Sequence, residues 1–395
     1  MKETETAAQP RREPLYRDPN LQIIFGITLI GVMGVASITP AFPKVVRELG
    51  ISAHSVGLLI SVFTLPGVVL TPIMGVLADR FGRKKIIVPS LMLFAIAGTA
   101  CWFARDFRHL LVLRFFQGAA AASLGSLNLT LIGDLYSGRD RAAAMGYNAS
   151  VLSIGTASYP AIGGLLAVVG WNYPFLLPPV AIPVGLLVLF SLKSNEPKGD
   201  QRLKDYFGNV WQHVKRRSAL VFFTASLLTF IILYGTYFTY LPLLLGTTFG
   251  ASSLIIGLLM SVMSLTTAFM SSQLGRLASR YSERNLLRVS FVFYAAGLVL
   301  ISFTPKLWLL PVPVIIFGIG HGVNVPTIHS ALAGMAPRDY RGAFLAINGM
   351  VLRLGQTLGP LLMAAVFAIW GVEGVFYAGA ACALGMSALV TLTIP

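Results

Sequence analysis

With 55% hydrophobic and 11% charged residues and a mean hydropathy of +0.75, the 395-residue chain carries more apolar surface than a water-soluble globule can hide. Its 30 Lys and Arg against 15 Asp and Glu give a net charge of +15. No polar stretch is long enough to gather that charge into a nucleic-acid groove, so nucleic acid is excluded as a partner.

The first 20 residues hold Lys2, Arg11, Arg12 and Arg17 but no apolar run. They read as a polar tail with no cleavable signal, so the first apolar stretch directs insertion. Apolar stretches of spanning length follow at roughly 21–42, 55–77, 86–104, 109–132, 144–168 and 172–192. Six more follow at roughly 219–243, 254–275, 287–304, 307–332, 343–369 and 374–394. None alternates polar and apolar residues as a barrel strand would. The expected fold is therefore an all-α polytopic membrane protein with twelve transmembrane helices. Cys101 and Cys382 fall within spans 3 and 12 and read as small packing hydrophobes.

The one long polar segment, residues 193–218, carries seven basic and three acidic residues and separates two six-helix halves. In it Leu203, Tyr206, Phe207, Val210, Trp211 and Val214 recur at helical spacing. They form either an amphipathic helix lying on anionic lipid or a partly ordered linker. The expected organisation is a tail (1–20), a first bundle (21–192), the linker (193–218) and a second bundle (219–395). With the N-terminus inside, 23 Lys and Arg fall in cytoplasmic segments. Only Lys44, Arg47, Arg105, Arg108 and Lys306 fall in external loops. Both termini are therefore expected in the cytoplasm and the chain in the inner membrane.

The halves also repeat in sequence. Residues 75–87, Gly-Val-Leu-Ala-Asp-Arg-Phe-Gly-Arg-Lys-Lys-Ile-Ile, are echoed 200 positions later by Gly-Arg-Leu-Ala-Ser-Arg-Tyr-Ser-Glu-Arg-Asn-Leu-Leu. The register also pairs Gly118 with Gly318, Arg141 with Arg341, Asn148 with Asn348, Gly155 with Gly355 and Pro160 with Pro360. An even number of spans per copy returns each to the side where it began. The two bundles are thus pseudo-symmetric about an axis along the membrane normal.

Six positions of the first loop, Gly75, Asp79, Arg80, Gly82, Arg83 and Lys84, match the pattern G-x-x-x-D-R-x-G-R-[KR]. Span 4 holds Arg114-Phe115-Phe116-Gln117-Gly118. Span 5 holds Gly155 to Gly164 in the pattern G-x-x-x-G-P-x-x-G-G, with Tyr159 in place of the glycine before Pro160. By these motifs the chain resembles the major facilitator superfamily of secondary transporters over essentially its full length, and within it the drug and proton antiporter branch. The resemblance implies alternating access, in which the halves rock about a central cavity. It implies a latch of Asp79, Arg83 and Asp134, set in the loop of Gly75, Arg80 and Gly82, that holds the cytoplasmic side shut. There Asp79 would face the positive start of span 11 near Gly342. The second copy has Ser279, Ser282 and Glu283 at the matching positions, so the latch is expected mainly in the first half. The resemblance also gives Arg114 a role in proton coupling or in holding spans together. Gly155, Pro160, Gly163 and Gly164, with Gly359 and Pro360 in the second half, are expected packing and hinge positions.

An ionisable side chain inside a span is costly and therefore a functional candidate. Arg353 stands eleven residues into span 11, about 16 Å deep and beyond easy snorkelling, with Gln356 one turn on. Arg114, near the external end of span 4, either snorkels or serves coupling. In span 10, His321 and Asn324 lie three residues apart and are expected to face the cavity. His321 either carries a coupled proton or bonds as a neutral ring between helices. His329 lies nearer the cytoplasmic end. In span 7, Tyr234, Tyr237 and Tyr240 recur every three residues and either line an amphipathic solute or anchor at the outer interface. No Asp or Glu occupies the middle of a span, so Arg353 favours an anionic or zwitterionic solute.

No nucleophile elbow, Walker loop or His-Glu-x-x-His motif is present, and no enzyme chemistry, cofactor or metal is expected. The expected function is alternating-access transport of a small organic solute. Proton-coupled export ranks first, uptake or exchange of an organic anion second, and a non-transporting sensor third. Expected partners are the solute, protons and membrane lipid, with the protein acting as a monomer.

Overall fold

A computed structural model describes residues 14–192, 217–335 and 341–393. The amphipathic pattern from Leu203 to Val214 lies outside the described residues. Every described element is helical, as hydrocarbon requires of a span whose backbone groups must bond within their own segment.

Span 1 runs from Pro19–Ala36 through Thr39–Ala41 into Phe42–Glu48. Spans 2 to 5 are Leu58–Phe81, Arg83–Phe103, Phe107–Leu135 and Gly138–Val169. Span 6 strings together Tyr173–Leu176, Pro178–Val180 and Ala181–Phe190. Span 7 joins Arg217–Ile231, a π-helical Ile232–Tyr240 and Leu241–Thr247. Beside Pro242, which has no N–H to give, the wide winding lets Thr239 Oγ1 donate to the carbonyl of Tyr234, five residues back, at 2.7 Å. Spans 8 to 10 are Ser253–Ser272, Glu283–Phe303 and Pro311–Met335. The last helical run, Arg341–Thr393, breaks into spans 11 and 12 at Gly371, whose φ of 69° is left-handed.

The duplication recurs in the backbone. Gly50 and Gly250, 200 positions apart, take φ of 60° and 61° and close the matching turns after spans 1 and 7. Lys84 Nζ donates to the carbonyl of Leu189 at the end of span 6 (3.4 Å), and Arg284 Nη2 to that of Thr391 at the end of span 12 (2.6 Å). In both halves a cation from the first turn of the third span thus sits on the negative end of the last helix, where the helix dipole favours it.

The two bundles meet mainly through spans 2 and 11 and spans 5 and 8. The described hydrogen bonds between these spans, and the tightest crossings, lie toward the end that carries Gly50 and Gly250. There Ser61 Oγ donates to the carbonyl of Thr357 (2.8 Å), and the hydroxyls of Thr64 and Thr357 lie 2.9 Å apart. Spans 5 and 8 cross at Gly164 and Gly257, where a Cβ would run into the carbonyl oxygens of Ser253 and Pro160 respectively. Toward the opposite end, which carries the 75–87 loop, that packing stops. A Cβ added at Gly75, Gly146 or Gly349, on spans 2, 5 and 11, or at Gly275 just beyond span 8, would meet no neighbour. Among the described residues the halves therefore pack together at one end and leave open space between them at the loop end.

Candidate functional site

The loop between spans 2 and 3 is a single residue, Gly82, with φ of 102°. Only glycine enters that region without strain, which explains its place in the motif. The tight turn brings Arg83, 5% exposed, against Asp134 at the end of span 4. Its Nε donates to Asp134 Oδ2 at 3.0 Å, and its Nη1 pairs with Asp79 one turn earlier. Asp79, with 56% of its side chain exposed, pairs with Arg83. Residues 336–343, where the expected contact of Asp79 with the start of span 11 near Gly342 would form, lie outside the described side chains. Arg80 lies outside the cluster, over the Phe81 ring at 5.6 Å. In the second copy Ser282 caps span 9 by accepting from the Asn285 N–H (3.4 Å), so no left-handed glycine is needed there.

Nearby, Asp18 ties the start of span 1 to the turn after span 4. Its Oδ1 accepts from the Asn20 N–H (2.9 Å) and its Oδ2 from the Tyr136 hydroxyl (2.6 Å). Burial, together with the Asp18 carboxylate, pushes the Tyr136 phenol above its ordinary range.

Arg353 marks the apex of the cavity. Its guanidinium reaches from span 11 into the first half, beside Gly67 of span 2 and Gly125 of span 4. Nη1 donates to Gln356 Oε1 at 3.2 Å, and Thr357 Oγ1 donates to the Arg353 carbonyl at 2.9 Å. Tyr234 lies within electrostatic reach of the guanidinium. Tyr234, a separate candidate in the sequence, is therefore a neighbour of the expected Arg353–Gln356 pair.

The other candidates lie elsewhere. Asn324 is fully buried within the second bundle, accepting from Thr229 Oγ1 (2.8 Å) and donating to Ser290 Oγ (2.9 Å), so it ties spans 7, 9 and 10 rather than lining the cavity. His321 Nδ1 lies 2.6 Å from the hydroxyl of Tyr294 on span 9 and faces the same interior. Tyr237 and Tyr240 are fully buried, stacked on Phe317 and Phe367 at 5.0 and 5.1 Å. On span 7 the part-exposed aromatic row is instead Phe230, Tyr234 and Phe238, spaced by four rather than three. His329 is exposed.

Arg114 does not snorkel. It is 0% exposed, with Nε on the Leu59 carbonyl (3.2 Å), Nη1 on Gln117 Oε1 (2.7 Å) and its guanidinium carbon 4.1 Å from the centre of the Phe63 ring. Gly155 and Gly163 pack on span 1, Gly359 on span 7 and Pro360 on Gly57 of span 2.

Sequence reasoning passed over two groups. One is the seam of Ser61, Thr64 and Thr357, and the other is the triad in which Thr28 accepts from Asn128 Nδ2 (2.9 Å) and donates to Asn148 Oδ1 (2.5 Å). Apart from the repeat match of Asn148 with Asn348, isolated hydroxyls and amides in apolar helices were the only signal for either.

Comparison with known proteins places this geometry. The sequence matches the description Major Facilitator Superfamily over residues 24–250 and 236–395. It is 25% identical over 380 residues to multidrug resistance protein 1 of Bacillus subtilis (strain 168), covering 95% of this chain and 96% of that one. It is also 25% identical over 369 residues to the class C tetracycline resistance protein of Escherichia coli, covering 88% and 89%. The fold superposes on a bacterial homolog of the human lysosomal transporter Spinster, in an inward-facing and occupied conformation, with a TM-score of 0.81 at 16% identity over 97% and 98% of the two chains. It superposes on the nucleoside transporter NupG with a TM-score of 0.76 at 16% identity over 95% and 99%. The chain, with its two six-helix bundles and its charged loop after span 2, belongs to the Major Facilitator Superfamily.

Proposed function

We propose that this secondary transporter exports a small organic solute from the cytoplasm in exchange for protons. The observation that carries the reading is the shape of the cavity, sealed between spans 2 and 11 and spans 5 and 8 at one end and open at the end with the 75–87 loop. The excess of Lys and Arg on the loop side assigns that side to the cytoplasm, with both termini there, so the cavity is loaded from within the cell. Closing the cytoplasmic end would bring Asp79 to the start of span 11 and open the outer end. The relatives named for tetracycline and multidrug resistance support export. Arg114 and the Tyr294–His321 pair are the candidate coupling elements. The protein works as a monomer in contact with lipid.

A second reading, uptake or exchange of an organic anion, draws on Arg353. Its one hydrogen-bond partner among the described side chains is neutral.

Purified protein in liposomes with an imposed pH gradient tests the first reading. Solute from a chemically diverse panel should accumulate against its gradient on the acidic side only while the pH difference lasts. Passive equilibration with every solute would sink it.

A further inference from the structure

We propose that the solute carries a carboxylate, and that it docks on the Nε–Nη2 edge of Arg353, in a slot kept clear by Gly67 and Gly125. This rests on the transporter reading above and adds the chemical class of the solute.

Arg83, Arg114 and Arg353 differ in what faces their guanidinium groups. Arg83 is satisfied by two carboxylates. Arg114 is sealed from solvent, with a carbonyl, an amide and an aromatic face around it. Arg353 is only partly buried and spends Nη1 on Gln356. Its Nε and Nη2, the two parallel donors of the side-on fork, have no acceptor among the described residues. A guanidinium at mid-membrane depth with a free fork is matched best by a planar carboxylate, which takes two parallel hydrogen bonds.

The glycines explain why the fork is free. A Cβ on Gly67 would lie 3.3 Å from Arg353 Cδ and 3.5 Å from Nε, and one on Gly125 would lie 3.4 Å from Nη2. Any side chain longer than a methyl at either position would occupy the approach to the fork. Gly125 is itself exposed in the middle of span 4, so the slot opens onto the cavity. Beside it the part-exposed row of Phe230, Tyr234 and Phe238 offers an apolar, aromatic wall for the rest of the solute. The fitted ligand is thus an amphipathic organic carboxylate. Because the fork comes from span 11 and the slot walls from spans 2 and 4, the bound carboxylate would lie between the two halves.

Binding to the full chain in lipid nanodiscs, with three isosteric probes, tests this. The probes are naphthalene-2-carboxylate, its carboxamide and 2-naphthylmethylammonium. The carboxylate should bind at least about tenfold more tightly than either, as a doubly hydrogen-bonded ion pair would. Arg353→Gln should bring the three within about threefold of one another, and Arg353→Lys, which keeps the charge without the fork, should fall between. Gly125→Leu should weaken carboxylate binding by about tenfold while leaving the weaker amide little changed, and thermal unfolding confirms that each variant is folded. Equal binding of the three probes, preference for the ammonium, or an unchanged carboxylate preference in folded Arg353→Gln overturns the inference. The same protein in liposomes separates the two proposals. Gradient-driven movement of the ammonium probe alone keeps export and discards the carboxylate slot, whereas carboxylate binding without gradient-driven movement does the reverse.

Discussion

Arg83 donates to Asp134 at 3.0 Å while pairing with Asp79, so the ends of spans 2, 3 and 4 meet on one buried guanidinium. Replacing Arg83 by Ala leaves Asp134 without its partner and should lower stability by about 1.5–3 kcal/mol, read from thermal unfolding in detergent. Asp79 is more than half exposed, so Asp79→Asn should cost less than about 1 kcal/mol. Its effect should appear instead in the conformational equilibrium. Spin labels at Gly75 and Gly349 should report a larger open fraction in Asp79→Asn, because the closed state loses the contact to span 11. An unchanged distance distribution would remove Asp79 from the latch.

The crossing of spans 5 and 8 gives a sharper steric test. A Cβ on Gly257 has no room against the Pro160 carbonyl. Gly257→Val should therefore cost about 1–3 kcal/mol of stability and reduce transport by about tenfold or more, by wedging the sealed end apart. Gly385→Val on span 12, where the added carbons meet open space, should change neither. Equal behaviour of the two variants would show that the crossing is not a tight seal.

The twelve spans and the duplication were legible in the sequence because each depends on local features: apolar length or a fixed offset. Arg353 and Gln356 were legible for the same reason, since depth along a helix can be counted. What could not be read was direction. A three-residue offset puts His321 and Asn324 on similar sides of span 10, but nothing in it says whether those sides meet the cavity or Thr229, Ser290 and Tyr294. Tyr237 was misplaced because span 7 is wound as a π-helix, which brings Tyr234 into line with Phe230 and Phe238 instead. Gly67 and Gly125 acquire meaning only from an arginine in the other half.

Arg114 poses a question of structure against function that one substitution separates. Lysine cannot reach the Leu59 carbonyl, Gln117 and the Phe63 face together, so Arg114→Lys should lose about 1–3 kcal/mol of stability. Met fills a similar volume without a buried charge and should be no less stable than the Lys variant. If Arg114 couples protons, folded Arg114→Met should bind solute yet lose accumulation driven by the pH gradient. Full gradient-driven transport by that variant would leave Arg114 a packing element only.

The bond from Tyr136 to Asp18 should impose a pH dependence whose sign is fixed. The phenol is pushed above its ordinary value of 10.0 in the folded protein, by burial and by the neighbouring carboxylate. Below that pH both folded and unfolded chains keep the proton, and the hydrogen bond contributes in full. Above it the unfolded chain ionises first, so the folded state is progressively disfavoured as pH rises toward the shifted value. Tyr136→Phe should therefore lower the unfolding temperature at neutral pH by the equivalent of about 1 kcal/mol and flatten its decline above about pH 10. The difference between parent and variant should narrow as pH rises through that window. A constant difference would mean that the phenol is not held by Asp18, and that the start of span 1 is fixed to the turn after span 4 by packing alone.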